Sequence, residues 1–346
     1  MRTIAVLVAI IVLSVSWIGS RAETAADIAP GRIVDTSEHD YTYEEMLDDL
    51  EQLAVRYPDY IRWSVADTSL EGRGIPIVRL GRDDAPCHMM IQATMHAREH
   101  MSTHLVMVMI EGTAWKRMHG VSHEGLRIYD ILDKIQLTVL PMVNPDGVEI
   151  CQRGAEGCRL DETRRWVEEM AARGVSHRQI KSNARGVDLN RNFTNGHGRA
   201  FNAVRSKHFY HYPGHQPLTE PEVKAMMQTL IQRPYDLCLN YHTSGNIVYY
   251  GCGNAPDSVN SRARRMARVI GKRTRYPLYG PEVSERPNGS WADEVELNFG
   301  VPSATVELGS RNPVPQRELS GLLRRNGETW LDLILDIERS KGITVN

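Results

Sequence analysis

Residues 89–99 read MMIQATMHARE, a short apolar run followed at once by a histidine and a glutamate three positions apart. Residues 89–94 have the length and the apolar character of a buried strand. A long helix rich in Met, Leu, Val and Ala is predicted directly afterwards, over residues 99–117. His96 and Glu99 therefore stand at a predicted strand-to-helix junction.

Short apolar runs alternate with helical patterns along the rest of the chain. Strands are predicted at 61–65, 75–80, 135–143, 236–241 and 302–306. Helices are predicted at 41–57, 160–173, 217–232, 258–271 and 319–337. The helix at 217–232 is expected to begin with Thr219 as N-cap and Glu222 as its capping-box partner. The alternation predicts an α/β fold, a three-layer sandwich with a central mixed, largely parallel sheet.

Polar residues follow four of these predicted strands at the point where each strand ends. They are His96, the turn sequence at 144–147, His242 and Glu307. Active sites of open α/β sheets form at the carboxyl ends of the strands. The sequence therefore predicts one site that gathers all four clusters.

The spacing of His96 and Glu99 is compatible with a metal site but is weak evidence alone. A catalytic zinc binds three protein ligands and keeps one position open, and two histidines with one glutamate are a known set. With 13 histidines and 43 acidic residues, such a spacing also arises by chance between surface residues. His100 and His104 are rival ligands, but the helical zinc motif needs glutamate directly after its first histidine, and Met101 stands there.

The stretch 186–193, GVDLNRNF, is much more specific. Together with His96-x-x-Glu99, the turn at 144–147, Thr219-Glu220-Pro221-Glu222, His242 and Thr305-Val306-Glu307, it occurs in the order found in zinc carboxypeptidases. Over roughly residues 40–338 the chain resembles this family, peptidase family M14. The resemblance implies a carboxypeptidase-like fold and a zinc-dependent peptide hydrolase.

The resemblance implies a ligand set for one zinc ion, consisting of His96, Glu99 and His242. Asp188 matches an acid that accepts the outer N–H of a metal-binding imidazole, so it is expected to pair with His96. Without the family context, His242 reads as a partly buried, hydrogen-bonded histidine.

Glu307 is the general base that the resemblance implies. In that mechanism zinc lowers the pKa of its bound water, and Glu307 removes the proton and carries it to the leaving amine. Arg98 and Lys181 match basic positions that face the scissile carbonyl, and Arg185 is the nearest rival of Lys181. A solvated surface charge is the alternative for each of these basic residues.

Asn190 and Arg191 resemble the family's clamp for the substrate carboxylate. Trp291 follows Gly289-Ser290, in the region that lines the pocket for the departing side chain. Asp293 and Glu294 lie beside it and suggest a leaving group with an extra cation or zwitterion, such as lysine or diaminopimelate. The alternative is that one or both acids lie on the outer face of a helix that starts near Ser290.

One family feature is absent from its usual place. Many members have a mobile tyrosine roughly 22 residues before the catalytic glutamate, but residues 281–288 contain none. Tyr276 and Tyr279 are weak substitutes, so substrate closure and terminal recognition are expected to differ from those of digestive enzymes.

Residues 182–190 look more like bacterial γ-D-glutamyl-diaminopimelate peptidases than like animal enzymes. The expected partner is a peptide substrate, with a muropeptide as the more specific candidate. The alternatives are a general carboxypeptidase for nutrient peptides and a non-catalytic peptide-binding pseudoenzyme. The pseudoenzyme predicts loss of a ligand or of Glu307, and neither is lost.

The chain of 346 residues carries a formal charge of −2, which gives no reason to expect a nucleic-acid partner. Residues 1–22 are predicted to be a signal peptide, because a basic residue, an apolar run and small residues before Ala22 occur in that order. An uncleaved anchor is the alternative, although residues 4–18 fall short of the ~20 needed to span a bilayer. The protein is expected to be secreted or extracytoplasmic, without a stable membrane span once the signal peptide is cleaved. A linker is predicted at 23–40 and a catalytic domain at 41–346.

Five cysteines are scattered without a disulfide framework. Cys151 and Cys158 are close enough in sequence to pair in an exported protein. Cys87 and Cys238 fall in apolar runs and are predicted to be buried thiols.

Overall fold

The computed structural model describes residues 31–283 and 286–343, and an eight-stranded sheet runs through them. The sheet contains β1 (Ile61–Thr68), β2 (Gly74–Leu80), β3 (Cys87–Ala93), β6 (Ile135–Leu140), β7 (Leu237–Thr243), β8 (Ile247–Tyr250), β9 (Leu278–Tyr279) and β10 (Ser303–Leu308). The short strands β4 (Ser122–His123) and β5 (Leu126–Arg127) form a separate ribbon. The signal peptide predicted for residues 1–22 lies outside the described residues.

The strand order is β1-β2-β6-β3-β7-β10-β8-β9. The four central strands, β6, β3, β7 and β10, are parallel to one another. Antiparallel pairs flank them, with β1 and β2 on one side and β8 on the other. The sheet is therefore mixed and parallel at its centre, as the sequence predicts.

Ten helices occur among the described residues. They are α1 (Tyr43–Arg56), α2 (Met101–Met118), α3 (Ile128–Leu132), α4 (Pro145–Arg153), α5 (Asp161–Ala172), α6 (Pro221–Ile231), α7 (Asp257–Thr274), α8 (Trp291–Asn298), α9 (Leu319–Asn326) and α10 (Thr329–Lys341). A capping box occurs at the start of α1, where the side chains of Thr42 and Glu45 each accept the backbone N–H of the other residue.

Alternate residues of the central strands enter two different cores. Met89 and Ile91 of β3 pack with helices α1, α2, α7, α9 and α10, whereas Met90 packs with α6 and α8. Because successive side chains of a strand point to opposite faces, both faces of the sheet are covered. This arrangement confirms the three-layer α/β sandwich.

Two predicted helices differ in detail from those observed. The helix predicted at 217–232 begins at Pro221 with Glu220 as N-cap, so the Thr219–Glu222 capping box was wrong. Proline at the first helical position has a preset φ and needs no N–H partner, which places the start there. The helix predicted at 319–337 is divided into α9 and α10 around Gly327, a residue type that disfavours helix interiors.

The five cysteines are all buried and free, so Cys151 and Cys158 are not paired. None of the helices in the described ranges has the length and hydropathy that a membrane crossing needs.

Part of the segment predicted as a linker lies against the domain. Val34 is fully buried, and the backbone N–H groups of Ile33 and Val34 donate to the two oxygens of Glu111, at 2.7 and 3.0 Å. Glu111 is on α2 and is itself fully buried. A carboxylate of α2 therefore holds the chain that precedes α1.

We expect Glu111→Gln to destabilise the fold by about 1–3 kcal/mol, because the amide group of glutamine cannot accept from one of the two buried N–H groups. The free energy of unfolding, measured by urea denaturation, tests this. Glu168→Gln on the exposed face of α5 is the matched control, and its effect should lie within about 0.5 kcal/mol of zero. Equal stabilities of the two variants would contradict the role given to Glu111.

Candidate metal centre

Three adjacent parallel strands bring the central residues of the site together. Ala93 at the end of β3 pairs with Tyr241 of β7, and His242 of β7 pairs with Glu307 of β10. His96 follows β3 by three residues and leads into a short 3₁₀ turn, Ala97–Glu99. The carboxyl ends of neighbouring strands thus deliver His96, His242 and Glu307 to one edge of the sheet.

His96, Glu99 and His242 form a close triangle. Glu99 Oε1 lies 2.9 Å from His96 Nδ1, and Glu99 Oε2 lies 2.9 Å from His242 Nδ1. The two Nδ1 atoms are 3.1 Å apart, and all three side chains are buried. Two imidazole nitrogens and a carboxylate therefore converge on one small volume.

The donor set fits a zinc ion. A tetrahedral zinc with bonds of about 2.1 Å holds its ligand atoms about 3.4 Å apart, close to the separations seen here. His96 uses Nε2 towards Asp188, which leaves Nδ1 for a metal. On the other imidazole, Nε2 of His242 lies 3.3 Å from the Gln92 amide, whose oxygen has no hydrogen-bond partner among the described residues. With that oxygen turned to the ring, Gln92 accepts the Nε2 proton and Nδ1 of His242 is free to coordinate.

Asp188 is fully buried and joins several parts of the site. Its carboxylate lies 3.2 Å from His96 Nε2 and 3.0 Å from Lys181 Nζ. It also accepts the backbone N–H groups of Asn190 and His211, each at 3.2 Å. The pairing of Asp188 with His96 is the one expected from the sequence.

Burial and neighbouring charges together shift the pKa values of the buried carboxylates in opposite directions. Burial alone would raise the pKa of Asp188, but Lys181 and His96 hold it well below its usual range. The pKa of Glu99 is likewise lowered by His96 and His242 against the effect of burial. Burial raises the pKa of Glu307 to about 7, with a further increase from Glu99 and an opposing effect of His242. Glu307 is thus distinct in environment from the two acids beside it.

A cleft of about 310 Å³ opens above these groups. Its lining residues are His96, Arg98, Glu99, Lys181, Asn190, Arg191, His242, Thr243, Ser244, Tyr249, Glu307 and Asn312. The structure therefore gathers eight of the ten residues assigned from the sequence in the wall of one cleft, and a ninth, Asp188, contacts His96 and Lys181 of that wall. The tenth, Trp291, lies elsewhere.

Trp291 is in the core. Its side chain is only 1% exposed and packs against the ring of Phe193, with 5.3 Å between ring centroids. It contacts neither the cleft nor solvent, so a substrate-binding role for its side chain does not agree with its position. Its backbone N–H donates to Asn190 Oδ1 at 2.9 Å, which ties α8 to the turn that carries Arg191.

Asp293 and Glu294 do not line a pocket for a cationic side chain. Glu294 accepts from the backbone N–H and hydroxyl of Thr194, at 3.0 and 2.6 Å. Asp293 accepts from the backbone N–H of Asn288 at 2.9 Å. Both acids are buried and hold neighbouring loops, so their predicted contribution to cation recognition was wrong.

The turn at 144–147 is close to the site but not part of it. Asn144 is the N-cap of α4 and donates to the backbone oxygen of Met95 at 3.2 Å. Asp146 is buried and pairs with Arg73 at 3.0 Å. These residues support the loop before His96 from behind, so three of the four predicted strand-end clusters reach the cleft.

The rival candidates lie away from the cleft. His104 lies 2.6 Å from the backbone oxygen of Asp35, and burial lowers the pKa of His100 to about 4. Arg185 approaches Glu220 at 3.7 Å, whereas Lys181 lines the cleft. The geometry favours Lys181 over Arg185 as the basic group that faces a substrate.

Tyr249 and Asn312 line the cleft but were not identified from the sequence. Tyr249 is on β8, is 39% exposed, and contacts the ring of Tyr279, with 5.7 Å between centroids. Tyr276 is buried, which does not agree with the role of a mobile tyrosine that covers the bound substrate. The antiparallel pairing of β8 with β10 sets Tyr249 opposite Thr305, but the sequence of β8, IVYY, has no alternation that would single out Tyr249.

A second group of possible metal ligands, His123, Glu124 and Asp332, occurs near α10. Arg273 donates to both oxygens of Asp332, at 2.6 and 2.8 Å, and His123 lies 2.8 Å from the same carboxylate. Both oxygens of Asp332 are thus engaged by protein donors, and the contacts of this group are those of an ion-pair network.

Comparisons with known proteins agree with this geometry. Gamma-D-glutamyl-L-diamino acid endopeptidase 1 of Lysinibacillus sphaericus is 27% identical over 289 residues, which cover 81% of this chain and 69% of the relative. Carboxypeptidase B of Rattus norvegicus is 27% identical over 292 residues, which cover 79% of this chain and 65% of the relative.

Solved structures show the same fold. Bovine thrombin-activatable fibrinolysis inhibitor superimposes with a TM-score of 0.69 at 18% identity, covering 88% of this chain and 99% of the other. Carboxypeptidase A of Helicoverpa armigera has a TM-score of 0.63 at 20% identity, covering 92% of this chain and 78% of the other. The profile of the zinc carboxypeptidase family matches residues 46–323. The chain therefore belongs to the zinc carboxypeptidase family, peptidase M14, a family of zinc-dependent peptide hydrolases.

Proposed function

We propose that the protein is a secreted zinc metallopeptidase that hydrolyses a peptide bond near the C-terminus of its substrate. One ion is held by His96, Glu99 and His242. The observation that carries this proposal is the triangle of ligand atoms beside Glu307, which pairs in register with His242 on the next strand. Hydrolysis by a metal-activated water requires a general base next to a metal site with three protein ligands.

Each side chain around the ion has a task. Bound zinc would supply Lewis-acid activation of the attacking water and of the scissile carbonyl. Glu307 takes a proton from the attacking water and delivers it to the leaving amine. Its place on the rigid strand β10 fixes the carboxylate at the cleft wall.

Two basic groups stabilise the negative charge that develops on the carbonyl oxygen. The guanidinium of Arg98 makes one long contact, 3.4 Å from Nη1 to the backbone oxygen of Gln179, so most of its donors remain for a substrate. Lys181 is held at the cleft wall by its 3.0 Å contact with Asp188. A lysine here keeps the charge but gives up the paired donors of arginine.

Asn190 and Arg191 bind the terminal carboxylate of the substrate in this proposal. Arg191 Nη1 donates to the Asn190 backbone oxygen at 2.6 Å, and its buried Nε has no hydrogen-bond partner in the described parts of the chain. The guanidinium faces the cleft without a carboxylate within ion-pair distance among those residues. Such a group is suited to a bidentate contact with a carboxylate.

We infer from the signal peptide predicted at residues 1–22 that the enzyme is exported. Outside the cytoplasm, cell-wall peptides are accessible substrates. The similarity to the Lysinibacillus sphaericus relative, a γ-D-glutamyl-L-diamino acid endopeptidase, supports a muropeptide substrate. General digestion of nutrient peptides is the alternative. The same relative is called an endopeptidase, so the cleavage mode is tested separately from the substrate class.

Glu307→Gln should reduce kcat by about 10²–10⁴, because the amide cannot accept the proton, while bound zinc stays near one per chain. Zinc is measured by elemental analysis after dialysis, and hydrolysis by release of the C-terminal residue. His242→Ala should lose both zinc and activity, and Glu168→Gln on the surface of α5 should lose neither. Full activity of Glu307→Gln, or a wild-type protein free of zinc after reconstitution, would refute the mechanism and favour a peptide-binding pseudoenzyme.

Arg191→Lys should lower kcat/KM for peptides with a free C-terminal carboxylate by roughly tenfold, because one charge-assisted hydrogen bond of the fork is lost. Peptides amidated at the C-terminus should be poor substrates of the wild type and should respond little to the substitution. Equal wild-type rates on the free and the amidated peptide would show an endopeptidase mode instead.

A muropeptide that ends in diaminopimelate should be cleaved with a higher kcat/KM than an ordinary peptide that ends in lysine. Both products are quantified by chromatography under the same conditions. Activity on the ordinary peptide alone would exclude the cell-wall substrate and leave the zinc peptidase intact.

A further inference from the structure

A second and larger cavity, of about 1090 Å³, lies next to the catalytic cleft. Arg191 belongs to the lining of both spaces, so the cavity begins where the proposed carboxylate clamp ends. One wall is formed by the chain after Arg191, up to residue 202, and the other by described residues near Pro287.

The two walls are joined firmly. Phe193 N donates to the Gly289 backbone oxygen at 3.1 Å, and Gly289 N donates to the Asn195 backbone oxygen at 2.7 Å. Gly196 has a φ of +79°, and a Cβ there would lie 2.1 Å from the backbone oxygen of Pro287. Only glycine allows the walls to approach so closely. The cavity is therefore bounded by packed backbone at its base.

Acidic residues of α8 are used in joining these walls. As described above, Glu294 binds Thr194, and Asp293 binds the backbone of Asn288. Among the lining residues that the structure describes, the one acid is Glu282, whose carboxylate accepts the backbone N–H of Gly280 at 2.9 Å. The hydrogen bonds of Glu294 and Asp293 thus engage both acids of α8 with the walls, outside the described lining of the cavity.

The cavity is lined by three arginines, Arg191, Arg199 and Arg286. None of the three has a carboxylate within 4.0 Å in residues 31–283 and 286–343. Buried polar atoms of the lining are also without partners in those residues, namely Arg191 Nε, Asn202 Oδ1 and Asn288 Oδ1. Among the lining residues that the structure describes, positive charge is thus in excess, and some hydrogen-bonding groups are unused.

We propose that this cavity receives the side chain of the residue released by hydrolysis and selects residues with a second carboxylate. The proposal rests on the proposed function, because it takes Arg191 as the group that binds the main-chain carboxylate. A side chain that extends past Arg191 enters the space between Arg199 and Arg286, where paired guanidinium donors match a carboxylate. The substrate class is a peptide that ends in glutamate or in another dicarboxylic amino acid.

Solvation of Arg199 and Arg286 as ordinary exposed charges is the competing explanation, since both residues are exposed. Ion pairs at a solvated surface contribute little binding free energy. A real subsite must therefore show as a measurable preference for peptides with a C-terminal acidic residue. Two peptides that differ only in a C-terminal Glu or Gln isolate that preference, because the two residues have the same shape. A third peptide with C-terminal Lys reports the opposite charge.

The zinc-loaded wild type should cleave the Glu peptide with a kcat/KM roughly tenfold above that of the Gln peptide, and the Lys peptide should be the poorest. In the double variant Arg199→Gln/Arg286→Gln the Glu-to-Gln ratio should fall to near one. Arg165→Gln, an exposed arginine of α5, is the matched control and should keep the wild-type ratio. A general folding defect lowers both rates and leaves the ratio unchanged, so the ratio reports the subsite.

Binding to zinc-loaded Glu307→Gln, measured by calorimetry, separates this proposal from the one it rests on. Tighter binding of the Glu peptide, abolished by the two arginine substitutions, supports the subsite even if no peptide is cleaved. Equal affinities for Glu and Gln peptides, or a preference that survives loss of both arginines, would overturn it. A preference for Lys would overturn it as well.

Discussion

The site depends on one buried carboxylate, that of Asp188. A buried carboxylate is strongly unfavourable unless donors surround it, and Asp188 contacts His96, Lys181 and the backbone N–H groups of Asn190 and His211. These contacts join a candidate metal ligand, a basic residue of the cleft and the turn that carries Arg191. The same interaction that allows the charge to be buried therefore fixes the relative positions of three parts of the site.

The parallel strands supply the other half of the geometry. β3, β7 and β10 are adjacent, and their register places His242 directly beside Glu307. Both faces of the sheet are packed, so these strands have little freedom to shift. His242 and the proposed base Glu307 thus lie on packed central strands, whereas His96, Glu99 and the proposed substrate-binding residues lie on turns that follow or surround those strands.

This division explains what could be predicted from the sequence. The strands of the centre are short apolar runs with polar residues at their ends, and both features are local, so His96, His242 and Glu307 could be placed together. The pocket could not be predicted in the same way. Whether Trp291, Asp293 and Glu294 face a substrate depends on how α8 meets the loop after Phe193, which local sequence does not reveal. Tyr249 was missed because a four-residue antiparallel strand has too few alternations to show which face is polar.

The hydrogen bonds of Asp293 and Glu294 on α8 also explain why the described lining of the cavity next to Arg191 is mainly positive. Backbone N–H groups of the loops at 194–195 and 288 need acceptors, and Glu294 and Asp293 supply them. Once those carboxylates are used, Glu282 is the one acid among the described residues that line the cavity with Arg199 and Arg286, and it is hydrogen-bonded to its own loop. Asp188 holds the turn of Arg191 beside the candidate metal ligands, and Arg191 in turn borders the arginine-lined cavity. In the binding mode that we propose, the distance between the scissile bond and the recognised carboxylates is therefore set by contacts that begin at one buried acid.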